Sequence, residues 1–163
     1  MFDVEIREFA QRLKDLCVTH KVKIATAESC TGGLISGAIT EIPGSSEMFD
    51  RGFVTYSDES KSELLNVPED FIEQFGSVSI PVAEEMAKGA LSNSNADISI
   101  AVSGIAGPGG GSDEKPVGLV CFGIASKKGL LLHYKCNFTG DRDAVRRSTV
   151  KEALQLLISI ADH

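Results

Sequence analysis

The sequence predicts an α/β fold: a single-domain, three-layer α/β/α sandwich around a mixed sheet of about five strands. Helical and strand-like segments alternate along most of the chain, which favours parallel strands joined through helices. Near the end, two apolar segments are separated only by Lys127-Lys128-Gly129, which is typical of an antiparallel hairpin. A length of 163 residues suits one hydrophobic core. We therefore expect one domain over residues 1–163, with both parallel and antiparallel strand pairs.

The first half of the chain alternates between helices and strands. Apolar residues recur every three or four positions in the opening segment, which predicts a helix ending near His20, and VKIATA then predicts a strand. A second helix is predicted from Thr31 to Ile42, where Pro43-Gly44 stops it, and FDRGFVTYS predicts the next strand. Ser57 should cap a short helix that carries Lys61.

The second half adds three helices, a strand and the hairpin. NVPEDFIEQFG predicts a short helix, IPVAEEMAKGALS a longer amphipathic one, and ADISIAVSG a strand. VGLVCFGIAS and LLLHYKCNF form the predicted hairpin. A final helix is predicted from about Asp141 to Ala161, and its core-facing residues should be Val145, Val150, Leu154, Leu157 and Ile158.

The charge and the N-terminal segment exclude several classes of protein. A formal net charge of −7 gives no general attraction to nucleic acid or to an anionic membrane. The first residues include acidic side chains and no uninterrupted apolar core, so they do not resemble a secretion signal. No apolar run approaches the roughly 20 residues of a membrane span. We therefore expect a cytoplasmic protein.

The four cysteines do not predict a metal site or a disulfide framework. They lie far apart, at Cys17, Cys30, Cys121 and Cys136, with neither the Cys-x-x-Cys nor the histidine-flanked spacing of a zinc site. Three of them should be buried free thiols. Because no cluster of histidines and carboxylates is apparent either, we expect neither a metal nor another cofactor.

The segment ATAESCTGG, residues 25–33, joins the first predicted strand to the second predicted helix. Ser29 could cap that helix, as serine commonly does at such a position. Alternatively, Ser29 could be a nucleophile, with the backbone N–H groups near Cys30 and Thr31 stabilising an oxyanion. Gly32 and Gly33 would let a ligand approach the backbone closely. The residues alone leave both roles open.

A serine nucleophile needs a base, and the three histidines are poor candidates for it. His20 lies at a predicted helix end, His133 within a strand, and His163 is the last residue. Lys61 is the alternative base, provided that burial or the helix N-terminus lowers its pKa, and Tyr56 precedes it at a strand end. The other interpretation is a tyrosine at the rim of the core followed by a solvated lysine.

A glycine-rich loop and an arginine pair are the remaining candidates for ligand contact. The loop, from Gly104 to Gly118, could bind phosphate or ribose oxygens through its N–H groups, or it could be a flexible surface loop. Arg142 and Arg146 share a face of the last helix and could bind phosphate, or they could pair with nearby aspartates. The candidate binding residues are Gly32, Gly104, Gly107, Gly109, Gly110, Lys115 and Arg142.

Four segments, TAESCTGG, GFVTYSDESK, SGIAGPGGGSDEKPVGLV and TGDRDAVRR, together resemble the CinA C-terminal-domain family, the nicotinamide-nucleotide amidases. The resemblance covers nearly the whole chain. It implies a three-layer α/β/α sandwich and hydrolysis of the carboxamide of nicotinamide mononucleotide, giving nicotinate mononucleotide and ammonia. It also implies that catalysis belongs to Ser29, Tyr56 and Lys61, and that a small nucleotide is the substrate. The substrate phosphate would then contact the glycine-rich loop, Lys115 or Arg142.

Two other interpretations stay open. A thiolate of Cys30 at the helix N-terminus could be the nucleophile in place of Ser29. The fold could also serve as a nucleotide-binding or oligomerisation module that performs no reaction. In either case we expect a homo-oligomer, with a two-fold dimer favoured.

Overall fold

The computed structural model describes residues 1–162, so His163 lies outside the described residues. The helices are α1 (Val4–His20), α2 (Leu34–Thr40), α3 (Asp58–Leu65), α4 (Glu69–Phe75), α5 (Ile80–Ser92) and α6 (Arg142–Ala161). The strands are β1 (Ile24–Glu28), β2 (Phe49–Val54), β3 (Ile98–Gly104), β4 (Leu119–Ser126) and β5 (Leu131–Asn137). One turn of 3-10 helix, Ser45–Glu47, precedes β2.

The five strands form one sheet in the order β2-β1-β3-β4-β5. β1, the middle one of the three parallel strands, pairs in parallel with β2 on one side and with β3 on the other. The β3–β4 and β4–β5 pairs are antiparallel, and the last of these is the predicted hairpin. The sheet is therefore mixed, as the sequence predicts.

Helices cover both faces of this sheet. α1, α2 and α6 pack on one face, in a core that includes Ile24, Ile100 and Phe122 from the strands. α3, α4 and α5 lie on the other face, where residues of α3 and α5 pack with Ala27 and Ala101. Burial of apolar side chains between the layers is the main favourable term in such an arrangement. The three layers confirm the predicted fold class.

Two further predictions are confirmed at the level of single side chains. The predicted core-facing residues of α6 are all buried, namely Val145, Val150, Leu154, Leu157 and Ile158. The cysteines are all free, and three of them, Cys17, Cys30 and Cys121, are buried.

Within residues 1–162, no helix combines the length and the apolar character needed to cross a membrane.

The predicted start of the second helix is wrong by three residues. α2 begins at Leu34, and residues 29–33 before it form a turn in which the Gly32 N–H donates to the Ser29 carbonyl. Gly32 and Gly33 have φ angles of 58° and 103°, which are left-handed and interrupt a right-handed helix. α2 ends at Thr40, and β2 ends at Val54, so Thr55 and Tyr56 follow the strand instead of belonging to it.

Candidate active site

The candidate site lies where the three parallel strands end. Ser29 directly follows β1, Thr55 and Tyr56 follow β2, and the glycine-rich loop follows β3. β2 lies on one side of β1 in the sheet and β3 lies on the other. The order of the strands therefore reverses its direction at β1. Ligands of open α/β sheets bind in the crevice outside the carboxyl ends of the strands at such a point.

Ser29 and Lys61 are in direct contact at this edge. The Nζ atom of Lys61 lies 3.0 Å from the Oγ atom of Ser29. Lys61 also donates to the main-chain carbonyls of Thr55 at 2.9 Å and Tyr56 at 3.2 Å. Its side chain is only 1% exposed, although it lies in the first turns of α3. The predicted pair of nucleophile and base is therefore placed within hydrogen-bond distance.

Burial disfavours the charged form of Lys61. Desolvation lowers the pKa of its ammonium below the ordinary value, and the nearby carboxylate of Asp58 opposes this effect to a smaller extent. Its partners are a hydroxyl and main-chain carbonyls, and no carboxylate forms an ion pair with it in residues 1–162. The interpretation of Lys61 as a solvated lysine is wrong.

Glu28, and not Ser29, caps the start of α2. The Glu28 side chain is fully buried and accepts hydrogen bonds from the N–H groups of Ile35 and Ser36, at 2.8 and 2.9 Å. It also accepts from the hydroxyls of Thr31 at 2.6 Å and Ser36 at 2.7 Å. A carboxylate at a helix N-terminus is stabilised by such donors. The Ser29 hydroxyl is left free for the contact with Lys61.

The turn after Ser29 has paired carbonyl groups and two N–H groups, those of Cys30 and Thr31, that have no acceptor in another residue of the described chain. The Ser29 carbonyl accepts from the Gly32 N–H at 3.0 Å. Arg146 of α6 donates through Nε to the Cys30 carbonyl at 3.1 Å and through Nη2 to the Thr31 carbonyl at 3.3 Å. Within residues 1–162, the N–H groups of Cys30 and Thr31 donate to no other residue, and the Cys30 N–H contacts only the sulfur of its own side chain. Free N–H groups on consecutive residues can bind an anion.

A cleft of about 270 Å³ opens over Ser29, Cys30 and Lys61. Of the residues predicted from the sequence, those that line it are Ser29, Cys30, Tyr56, Lys61, Gly104, Gly107, Gly109, Gly110 and Arg142. Gly107 has a φ of 87°, and a Cβ there would lie 2.6 Å from a Val117 methyl group. A side chain at this position would therefore displace the part of the glycine-rich loop that lines the cleft.

Arg142 connects the glycine-rich loop with Tyr56 across the cleft. Its Nη1 donates to the Gly107 carbonyl at 2.9 Å, and its Nη2 contacts the Tyr56 hydroxyl at 3.4 Å. Tyr56 is 61% exposed. Its main-chain carbonyl accepts from Lys61, whereas its hydroxyl contacts Arg142. The two arginines that the sequence placed on one face of α6 thus have different contacts: Arg142 lines the cleft, and Arg146 binds the turn after Ser29.

Some predicted residues do not line the cleft. The ammonium of Lys115 donates to the Phe75 carbonyl at 2.6 Å, at the end of α4, and Lys115 is outside the cleft lining, as are Thr31 and Gly32. Sequence reasoning missed Ser77, Val78, Ser103, Ile105 and Ala106, which do line it. The position of Ser103 near the carboxyl end of β3 is the one signal that could have found it, by the strand-end rule.

Burial argues against a reactive thiol at Cys30. Its side chain is 6% exposed, and desolvation raises the pKa of the thiol to about 11. A thiol with such a pKa stays protonated near neutral pH and is a weak nucleophile. The described residues contain no group of three or more histidine, cysteine or acidic side chains arranged to hold a metal ion.

Comparison with known proteins places similar sequences in one family. A family model described as the CinA C-terminal domain matches residues 6–161. The nicotinamide-nucleotide amidohydrolase PncC of Shigella flexneri is 47% identical over 157 residues, which cover 96% of this chain and 95% of the relative. A putative competence-damage inducible protein of Caldicellulosiruptor bescii is 52% identical over 142 residues, which cover 87% of this chain. The chain covers 34% of that relative, about a third of its length.

A solved structure agrees with the fold described above. The crystal structure of the competence/damage inducible protein CihA from Agrobacterium tumefaciens is 46% identical and has a TM-score of 0.96. The match covers 98% of each chain.

Proposed function

The chain belongs to the CinA C-terminal domain family, and we propose that it is an amidohydrolase that converts nicotinamide mononucleotide to nicotinate mononucleotide and ammonia. The observation that carries the proposal is the buried contact of 3.0 Å between Lys61 Nζ and Ser29 Oγ at the floor of the cleft. It supplies a nucleophile and a base in one place. The substrate comes from the name of the Shigella flexneri relative and from the sequence resemblance.

In this mechanism Lys61 acts as a neutral amine. A neutral amine has two N–H groups, which suffice for the two nearer of its three carbonyl contacts, those of Thr55 and Tyr56, and its lone pair can then accept from the Ser29 hydroxyl at 3.0 Å. Lys61 accepts the Ser29 proton as Oγ attacks the carboxamide carbon. The N–H groups of Cys30, which lines the cleft, and of Thr31, the next residue along the turn, stabilise the oxyanion that forms.

The intermediate then collapses in two stages. The ammonium of Lys61 returns its proton to the departing amide nitrogen, the C–N bond breaks, and ammonia leaves an ester on Ser29. Water attacks that ester while Lys61 takes a proton from the water and passes it to Ser29 Oγ. The positive pyridinium ring of the substrate withdraws electrons from the carboxamide and eases the first attack.

Arg142 is the candidate for the substrate phosphate. Its guanidinium lies at the mouth of the cleft, is solvent-exposed, and uses two of its nitrogens on neutral oxygens, those of Gly107 and Tyr56. A guanidinium can bind phosphate oxygens in a bidentate way. Tyr56 then serves by positioning Lys61 through its carbonyl and Arg142 through its hydroxyl.

The experiment that tests this function measures ammonia release from nicotinamide mononucleotide by wild type, Ser29→Ala and Cys30→Ala. We expect Ser29→Ala to lose activity by roughly a thousandfold or more, because the nucleophile is absent. Cys30→Ala should keep most of it, because the backbone N–H remains. Loss in the cysteine variant alone would assign the nucleophile to Cys30 instead.

A folded wild-type protein that binds the nucleotide and releases no ammonia would reject the amidase and favour the non-catalytic binding module. Equilibrium binding of nicotinamide mononucleotide, measured by calorimetry beside the assay, separates these two results. The homo-oligomer, with a dimer favoured, the cytoplasmic location and the absence of a cofactor stay predictions.

A further inference from the structure

We propose that Arg146 is a positioning residue that orients and polarises the N–H groups of Cys30 and Thr31 in the turn after Ser29. The inference rests on the proposed amidase function and assigns a role to an arginine that does not line the cleft. Hydrogen bonds across the turn connect Arg146 to both of these N–H groups.

The guanidinium of Arg146 is committed to this turn. It is half-buried and donates to two consecutive main-chain carbonyls, those of Cys30 and Thr31. No carboxylate of residues 1–162 forms an ion pair with it. Arg147, the next residue, is exposed and pairs with Asp143 on its own helix. The charge of Arg146 is therefore available to the carbonyls that it contacts.

The first of these contacts acts on the Thr31 N–H. The Cys30 carbonyl and the Thr31 N–H belong to one peptide group, and this group is trans. The C=O and N–H bonds of a trans peptide point in opposite directions. A donor fixed on the carbonyl therefore fixes the direction of the N–H on the other side. A charged donor also draws electrons through the peptide group and makes that N–H a stronger donor.

The second contact reaches the Cys30 N–H through two peptide groups. Arg146 binds the Thr31 carbonyl, whose peptide partner is the Gly32 N–H. That N–H donates to the Ser29 carbonyl at 3.0 Å, whose peptide partner is the Cys30 N–H. Hydrogen-bonded chains of this kind polarise one another. One contact of Arg146 therefore acts on the Thr31 N–H and the other on the Cys30 N–H. Neither N–H donates to another described residue.

Arg146→Gln and Arg146→Lys test the role, with Arg147→Gln as the matched control. Glutamine removes both the charge and the planar guanidinium group that donates to two carbonyls. Lysine keeps the charge but cannot hold two carbonyls in a fixed geometry. Losing one oxyanion donor costs about 10²–10³ in kcat, so weakening two should lower kcat by about tenfold to a hundredfold. KM for nicotinamide mononucleotide should stay within about twofold, since Arg146 makes no substrate contact.

The amide resonances of Cys30 and Thr31 supply a second readout in the substrate-free protein. Their ¹H–¹⁵N shifts should change in both Arg146 variants and stay constant in Arg147→Gln. An unchanged kcat, a rise in KM alone, or amide shifts equal to those of the control would each overturn the inference. If glutamine prevents folding, the lysine variant decides.

Failure of the proposed function gives a different result. A wild-type protein that releases no ammonia rejects the amidase, and with it the catalytic role of Arg146. An active wild type with fully active Arg146 variants rejects the positioning role alone.

Discussion

At the scale of single residues, the burial of Lys61 has consequences for both stability and rate. The unfolded chain keeps this lysine protonated up to its ordinary pKa of 10.5, whereas the folded protein releases the proton at lower pH. Between these two pKa values the unfolded state binds more protons, so the free energy of unfolding rises with pH. Below the folded pKa both states are protonated and this contribution to the slope disappears.

Lys61→Met should therefore remove a pH dependence as well as the activity. We expect the wild type to gain up to about 1.4 kcal/mol per pH unit over this window, relative to the variant. The check is urea unfolding of both proteins over a pH series. In the wild type, kcat/KM should rise with pH through the same folded pKa. Equal slopes for the two proteins would mean that Lys61 is charged in the folded state.

Arg142→Ala tests the phosphate contact. If Arg142 binds the phosphate, KM for nicotinamide mononucleotide should rise by about tenfold to a hundredfold while kcat changes little. Nicotinamide riboside, which lacks the phosphate, should be hydrolysed equally well by wild type and variant. Arg147→Ala is the control, because Arg147 is also exposed but pairs with Asp143. An unchanged KM for the nucleotide would remove Arg142 from the phosphate site.

At the scale of elements, the start of α2 shows what sequence patterns could and could not predict. Hydrophobic spacing identified the helix, but it could not separate a helical turn from the non-helical turn at residues 29–33. The left-handed angles of Gly32 and Gly33 decide this, and the capping partner is Glu28, which belongs to the preceding strand. Glu28 precedes the two N–H groups that it accepts from by seven and eight residues, so the cap does not resemble the usual local capping sequence.

Glu28→Gln should destabilise the junction of β1 and α2. The buried carboxylate accepts from four donors, and an amide must turn its NH₂ group towards some of them. Leaving a buried donor unpaired costs about 1–3 kcal/mol, so we expect a loss of this size in the free energy of unfolding. Denaturant unfolding at pH 7 measures it. Glu41→Gln, an exposed position at the other end of α2, should change stability by less than about 0.5 kcal/mol. Equal values for the two variants would contradict the capping role.

At the scale of the whole molecule, the site exists only when all three layers assemble. Ser29 follows β1 of the sheet, Lys61 comes from α3 on one face, and Arg142 and Arg146 come from α6 on the other. The sequence predicted Ser29, Lys61 and Arg142 as separate candidates, since each has a local motif. It could not predict that Lys61 would be buried or that Lys115 would bind the end of α4, because both depend on packing between distant segments.

Close packing between α3 and α5 should set the distance between Lys61 and Ser29. Gly89 of α5 lies against the main chain of Leu65, the last residue of α3, and a Cβ at this position would overlap the Leu65 carbonyl. Alanine normally stabilises a helix relative to glycine by about 1 kcal/mol. Here the sign should reverse, because α3 would have to move away from α5 and carry Lys61 with it.

Gly89→Ala should therefore lower both the free energy of unfolding, by about 1–3 kcal/mol, and kcat. The matched control is Gly37→Ala in α2, where a Cβ would meet the Phe2 ring at an ordinary contact distance of 3.4 Å. That variant should be neutral or more stable by up to about 1 kcal/mol and should keep its activity. Thermal unfolding and ammonia release, measured on both variants, check this. If Gly89→Ala matched Gly37→Ala in both measurements, the packing of α5 on α3 would not set the geometry of the base.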